Sequence, residues 1–400
     1  MPNHFTSGNI LVPATDSFEK WAVIACDQYT SDPVYWKNVR QDVADAPSTL
    51  HMIIPEAELH ISGAEVTRKV CDTMDSYLNT GIFKEYPNAY VYVERTLLDG
   101  SVRQGIIGVV DLDTYDYDPK ENTRIFATEQ TVLQRVPPRV AVRREASLEF
   151  SHVVMFCDDP EMTLIEAVGK NKTRLPLLYD FELMAGGGHL SGWLLAGEAA
   201  ETFEAAVSAY ESERAYLVGD GNHSLVTAKL CYEEFKEKNP AETWNSTPAR
   251  YAMVELENIH SDAMAFEPIY RVVTCADPQK LVSDMQILDC SNGEPVTWII
   301  GNNEGTVRIP VEEGKLPIEA LQAFLDTWIV DNHAEIDYIH GDDATRELAM
   351  LDGNVGLLVP DLGKQILFPY VLSGKVMPRK TFSIGHAAEK RYYLEGRRIK

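Results

Sequence analysis

Hydrophobic and polar positions along the chain change period from block to block. "NAYVYVERTLLDGSVRQGIIGVVDL", residues 88–112, has two strand-like apolar runs around Leu-Asp-Gly, which predicts a β-hairpin. A second hairpin is predicted over "LPLLYDFELMAGGGHLSGWLLAG", where Gly186, Gly187 and Gly188 interrupt two apolar runs. In "GAEVTRKVCDTMDSYLNTG" the period lengthens, and Val66, Val70, Met74 and Tyr77 recur as on one helix face. Leu225, Ala228, Tyr232 and Phe235 likewise share a face, and that helix should stop before Asn239-Pro240. "ARYAMVELENI" and "FEPIYRVV" read as strands, and helices are expected near 277–287, 316–330 and 342–350.

Strands and helices that mix without regular βαβ alternation point to an α+β fold with mixed sheets. The pattern suggests a larger α+β core over residues 1–255 and a smaller C-terminal lobe over 256–400, although no Pro/Gly/Ser-rich linker marks the boundary. There is no internal repeat.

Charge narrows the possible ligands. The 400 residues carry 36 basic and 61 acidic side chains, a formal net charge of −25. Such a surface repels nucleic acid and anionic membranes, so neither is expected as a partner, and an anionic ligand needs a local exception. The six cysteines form no Cys-x-x-Cys pair and suggest neither a zinc site nor a disulfide framework. The N-terminal stretch lacks a basic segment followed by an apolar run, and no apolar run approaches the ~20 residues of a membrane span. A cytoplasmic location is the expectation.

The densest candidate chemistry lies in "AYLVGDGNHSLVTAKLCYEEF", Ala215–Phe235, where a strand should turn into a helix. Unpaired amides and the positive dipole end at a helix N-terminus can hold an anion, and Gly219 and Gly221 would let the backbone come close to a phosphate. Asp220 suits a general base or a Mg²⁺ ligand, and His223 a proton-transfer group or phosphate donor. The plain alternative is a turn in which Asn222 or Ser224 caps the helix and His223 merely packs.

"GDGNHSLVTAK" resembles the signature of the domain of unknown function 1015 family, a strand followed by a D-G-[HN]-H-[RS] turn and a helix. "VPATDSFEKWAVIACDQYTSDPVYW", "RVPPRVAVRREASLEFSHVVMFCDDP", "FEPIYRVV" and "KVMPRKTFSIGHA" resemble the same family, so the likeness spans roughly residues 11 to 386. The turn is also similar to that of the ParB and sulfiredoxin superfamily, which binds nucleotide phosphates there and includes free-serine kinases. The resemblance implies a ParB/sulfiredoxin-like nucleotide-binding core, ATP or ADP with Mg²⁺, and a small anionic substrate such as serine or phosphoserine. Gly219, Gly221, Asn222 and Ser224 would line the phosphate. The superfamily turn usually ends in Arg, and Ser224 stands there instead, so a positive charge must come from another segment.

Two basic stretches could supply it. "RIFATEQTVLQRVPPRVAVRR" carries Arg124, Arg135, Arg139, Arg143 and Arg144 against the single acid Glu129, which is itself a candidate base alongside Asp220. If "RVAVRRE" is a strand, Arg143 and Arg144 face opposite ways, and partners such as Glu145 and Glu149 would make the run an ordinary surface. "GKVMPRKTF" offers Lys375, Arg379 and Lys380, with Lys380 suited to a γ-phosphate clamp or simply to a solvated loop. The leading expectation is a phosphotransferase. The alternatives are a nucleotide-gated partition-type regulator without catalysis and, last, a redox repair enzyme, whose nearest cysteine, Cys231, lies within the motif helix.

Overall fold

The computed structural model describes residues 3–26, 29, 32–55, 58, 63–118, 123–129, 136–150, 153–378 and 380–400. The chain divides into two compact units, residues 1–264 with 386–400, and residues 265–385. The lobe expected over 256–400 therefore ends early, because the last residues return to the first unit as a strand of its sheet.

That sheet has 12 strands among the described residues. Its main path is β5 (Ile125–Ala127), β10 (Tyr216–Asp220), β7 (Val154–Cys157), β11 (Tyr251–Asn258), β4 (Val102–Asp111), β3 (Phe83–Thr96), β2 (Gly8–Pro13), β18 (Gly396–Arg398) and β6 (Leu148–Phe150). β1 (Phe5–Thr6) pairs with β4, and the hairpin of β8 (Leu177–Glu182) and β9 (His189–Leu195) joins through β3. β5 runs parallel to β10 and β7 parallel to β11, whereas the remaining pairs are antiparallel. The sheet is therefore mixed.

Both faces are covered, as the two-residue side-chain period requires. Val91, Val93, Ile107 and Met253 pack with Trp36 and Val39 of α1 (Pro33–Val43) and Val70 and Met74 of α2 (Ala64–Asn79). Their neighbours Tyr90, Tyr92, Ile106 and Val254 point the other way. They meet Phe203 and Val207 of α4 (Glu198–Glu213) and Leu225, Ala228 and Tyr232 of α5 (Asn222–Lys238). Both expected hairpins form, and α5 ends just before Asn239-Pro240. One face position fails: Val66 is exposed in the first turn of α2, while Cys71 is buried.

The arginine-rich stretch is a helix, α3 (Val136–Glu145), and not the strand its Val/Arg alternation suggests. Pro137 and Pro138 fit a first turn, where proline's missing N–H costs nothing. Val136 and Val140, four apart, then pack on Val226 of α5. Burial of that helical pair overrides the alternation.

In the second unit, β14 (Asn303–Ile309), β13 (Glu294–Ile300), β16 (Asn354–Leu358), β12 (Phe266–Thr274) and β15 (Glu335–His340) form an antiparallel sheet, with β17 (Phe382–Ile384) added to β12. The three expected helices form as α6 (Pro278–Met285), α7 (Pro317–Asn332) and α8 (Asp342–Ala349). Among the described residues, no helix is long and apolar enough to cross a membrane.

Candidate active site

The motif forms a corner where β10 ends and α5 begins. Between Val218 and Asp220 the pairing with β7 slips, so that Asp220 stands opposite Val154. A bulge of this kind re-aims side chains at a strand end. Gly221 then precedes the helix at φ +86°, a left-handed conformation that glycine adopts without a Cβ penalty.

The two glycines answer first to packing. A Cβ on Gly219 would lie 2.2 Å from the Phe156 ring, and one on Gly221 2.8 Å from the Val153 Cα. Their conformational licence is thus used to seat the corner against β7, a role the phosphate-approach expectation did not include.

Asp220 turns one oxygen inward, where Oδ1 accepts from Gly221 N–H at 2.8 Å. Its Oδ2 lies 3.5 Å from the Lys390 ammonium, and the two side chains are 41% and 16% exposed. The N-cap of α5 is Gly221, which has no side chain to cap with, so neither Asn222 nor Ser224 stands at the cap position of the plain alternative. Ser224 N–H and Leu225 N–H both donate to the Gly221 carbonyl. His223 is half-buried in the first turn, and its carbonyl accepts from the Thr227 hydroxyl at 2.7 Å. The Asn222 Oδ1 is buried and has no hydrogen-bond partner among the described residues, which leaves an acceptor for a ligand's hydroxyl or ammonium.

Glu129 reaches the same end of the sheet. β5 and β10 run in parallel register, with Ala127 opposite Val218, so Glu129 stands two residues past the ladder just as Asp220 does. The Thr128 hydroxyl, donating to the Val218 carbonyl at 2.7 Å, ties that end down. Both candidate bases thus come from the same end of two adjacent strands.

The basic island divides. Arg143 pairs with Glu149, which also accepts from Arg397 at 2.8 Å. Burial alone would raise the Glu149 carboxyl, but the two guanidiniums hold it below the usual range. Arg144 forms a fork on Glu234 of α5, at 2.9 and 2.6 Å. Arg139 is half-buried on the same helix, Arg124 is exposed just before β5, and Arg135 lies outside the described residues. Lys380 belongs to the second unit, in a left-handed conformation at φ +56°, and Arg379 lies outside the described residues. Lys375 donates to the Gly314 carbonyl within that second unit.

Lys390 is the site residue that sequence reasoning missed. "HAAEKRYY" offers no local sign that its lysine returns to a motif 170 positions earlier. Cys231 lacks the setting of a redox nucleophile, since it packs with Val136 and Val140 and burial pushes its thiol up. Among the described residues no group of three or more His, Cys, Asp or Glu could hold a metal ion. A Mg²⁺ carried by phosphates needs only one or two carboxylates, which Asp220 and Glu129 fit.

With a mixed α+β sheet and this corner, the chain belongs to the family described as protein of unknown function DUF1015, which matches residues 11–301. A comparison with curated proteins finds no match. Among solved structures, the chain is similar to a free serine kinase in complex with AMP, at 12% identity and TM-score 0.39, covering 74% of this chain and 91% of that one. It is also similar to C-terminally truncated SbnI from Staphylococcus aureus, at 11% identity and TM-score 0.38, covering 70% and 83%. A conserved hypothetical protein from Pyrococcus furiosus matches at 11% identity and TM-score 0.35, covering 74% and 95%.

Proposed function

We propose that this protein transfers a phosphoryl group between a nucleotide and the hydroxyl of a small carboxylate-bearing substrate, serine or a serine-like hydroxy acid. One observation carries the reading: a carboxylate, the amide end of a helix whose N-cap is glycine and an ammonium 3.5 Å from that carboxylate meet at one corner of a chain with formal charge −25. Phosphoryl transfer needs mainly positioning and charge neutralisation, which is what such a corner offers.

In the kinase direction the substrate oxygen attacks the terminal phosphorus of ATP or ADP. The bond to the bridging oxygen breaks, the shortened nucleotide leaves, and the hydroxyl proton passes to Asp220 or Glu129. The Asn222 and His223 amides at the start of α5, the Ser224 hydroxyl and the His223 ring donate to phosphate oxygens, with Arg139 the member of the basic island kept in this role. When bound, Mg²⁺ would neutralise phosphate charge, held through Asp220 or Glu129. On this reading the first unit is a ParB/sulfiredoxin-like core, and Lys380, Arg143 and Arg144 take no part.

Phosphorus NMR with a panel of nucleotides and small hydroxy acids tests the proposal. Transfer in at least one direction is expected, and its absence across the panel with folded protein would refute the enzyme reading.

A further inference from the structure

Residues 388–391 are held by a concentration of buried charge with no equal at the rest of the corner. Arg95, 4% exposed, donates to three successive carbonyls: Ala388, Glu389 at 2.9 Å and Lys390 at 2.7 Å. Arg103, 6% exposed, adds a bond to the Glu389 carbonyl at 2.9 Å. Immediately after, the Arg391 Nε lies 2.8 Å from Glu255 while its Nη2 donates to Glu395. Burying a guanidinium is expensive, and Arg95 meets carbonyls where a carboxylate would repay more. Burial and the neighbouring Arg103 accordingly depress its own protonation, to about 9.

This expense fixes backbone on both sides of a single residue. Lys390 is that residue, and its ammonium is the group that comes out at Asp220. An ordinary surface lysine loses much side-chain freedom on gripping a ligand, whereas one with a clamped backbone and a mostly buried stem has already lost it.

We propose that Lys390 is the phosphate-binding cation of the corner, taking the place of the arginine that Ser224 displaces from the motif. The assignment rests on the phosphotransferase reading and gives it a named residue. Lys390 bridges Asp220 and the phosphate, so the carboxylate can lie near an anion it would otherwise repel.

The test is calorimetric binding of ADP and of inorganic phosphate to the full chain and to Lys390→Gln, Lys390→Arg and Asp220→Asn, with melting temperatures measured in parallel. Lys390→Gln should bind ADP at least ten-fold more weakly with nearly unchanged melting, and Lys390→Arg should recover most of the loss. If the wild type binds ADP and Lys390→Gln binds it equally well, the assignment of Lys390 is wrong and the phosphotransferase reading survives. If the folded wild type binds neither ligand, both fall. A melting temperature that drops with Lys390→Gln while ADP affinity holds would make the residue a structural ion-pair partner and overturn the proposal.

Discussion

Two charged regions of the first unit are built in opposite ways. Beneath the returning C-terminal segment, Arg391, Glu395 and Glu255 are nearly inaccessible and pair with one another. At the β10–α5 corner, Asp220 is 41% exposed, its ion pair is loose at 3.5 Å, and a buried Asn222 oxygen lacks a partner among the described residues. The first region uses its charges to hold backbone in place. The second holds charges in reserve, as a site must if a ligand is to complete it. The link between them is Lys390, whose backbone belongs to the first region and whose ammonium belongs to the second.

Arg391→Leu should cause the largest change. Removing Arg391 leaves Glu255 and Glu395 buried without their counter-charge, although Glu395 keeps its bond from the Tyr179 hydroxyl, at a cost of about 3–5 kcal/mol in denaturant unfolding. A mild effect would mean that the cluster is not what anchors the segment.

Asp220→Asn keeps an oxygen for the Gly221 amide but removes the charge. It should lower transfer about 100-fold or more while leaving the fold intact, as measured by turnover alongside circular dichroism. Turnover that survives would move the base to Glu129.

Glu257, 1% exposed on the same face as Arg103, should show in the pH dependence of stability. Burial raises its carboxyl to about 7, so the folded state favours the protonated form. The corresponding stability is complete below the unfolded carboxylate range and is lost as pH rises through about 7. Glu257→Gln, which also removes the partner of the buried Arg103 and so shifts stability by a pH-independent offset, should therefore lack the loss of about 3 kcal/mol that the wild type shows between about pH 4 and pH 8, so that the gap between the two proteins changes with pH by that amount. A gap that stays constant with pH would show that Glu257 does not titrate in this window.

Arg144→Ala should do least. Its fork on Glu234 is exposed and solvent-screened, so a change in melting of no more than about one degree is expected, with ADP affinity unaffected. A large loss of affinity would return Arg144 to the site.

Local order was legible in the sequence. The hairpins followed from alternation around Leu-Asp-Gly and the glycine run, and α5 from a helical stripe stopped by Asn239-Pro240. The Arg139–Arg144 segment misled because Val-Arg alternation imitates a strand, and only packing on Val226 makes it helical. Long-range order was hidden. The parallel ladder that brings the strand before Glu129 against the strand that ends in Asp220 joins segments some ninety residues apart, and the return of Lys390 depends on Arg95 and Arg103 reaching carbonyls nearly three hundred residues away. Arg95 and Arg103 share a face with Val91, Val93 and Ile107, so their inward direction was readable by period-two counting. Their partners were not.

The most direct test of the central claim is a crystal structure with a nonhydrolysable nucleotide analogue. The account predicts phosphate density within hydrogen-bonding distance of the backbone amides at the start of α5 and of the Lys390 ammonium. Nucleotide bound elsewhere, with Lys390 still resting on Asp220 and no density at the corner, would contradict it.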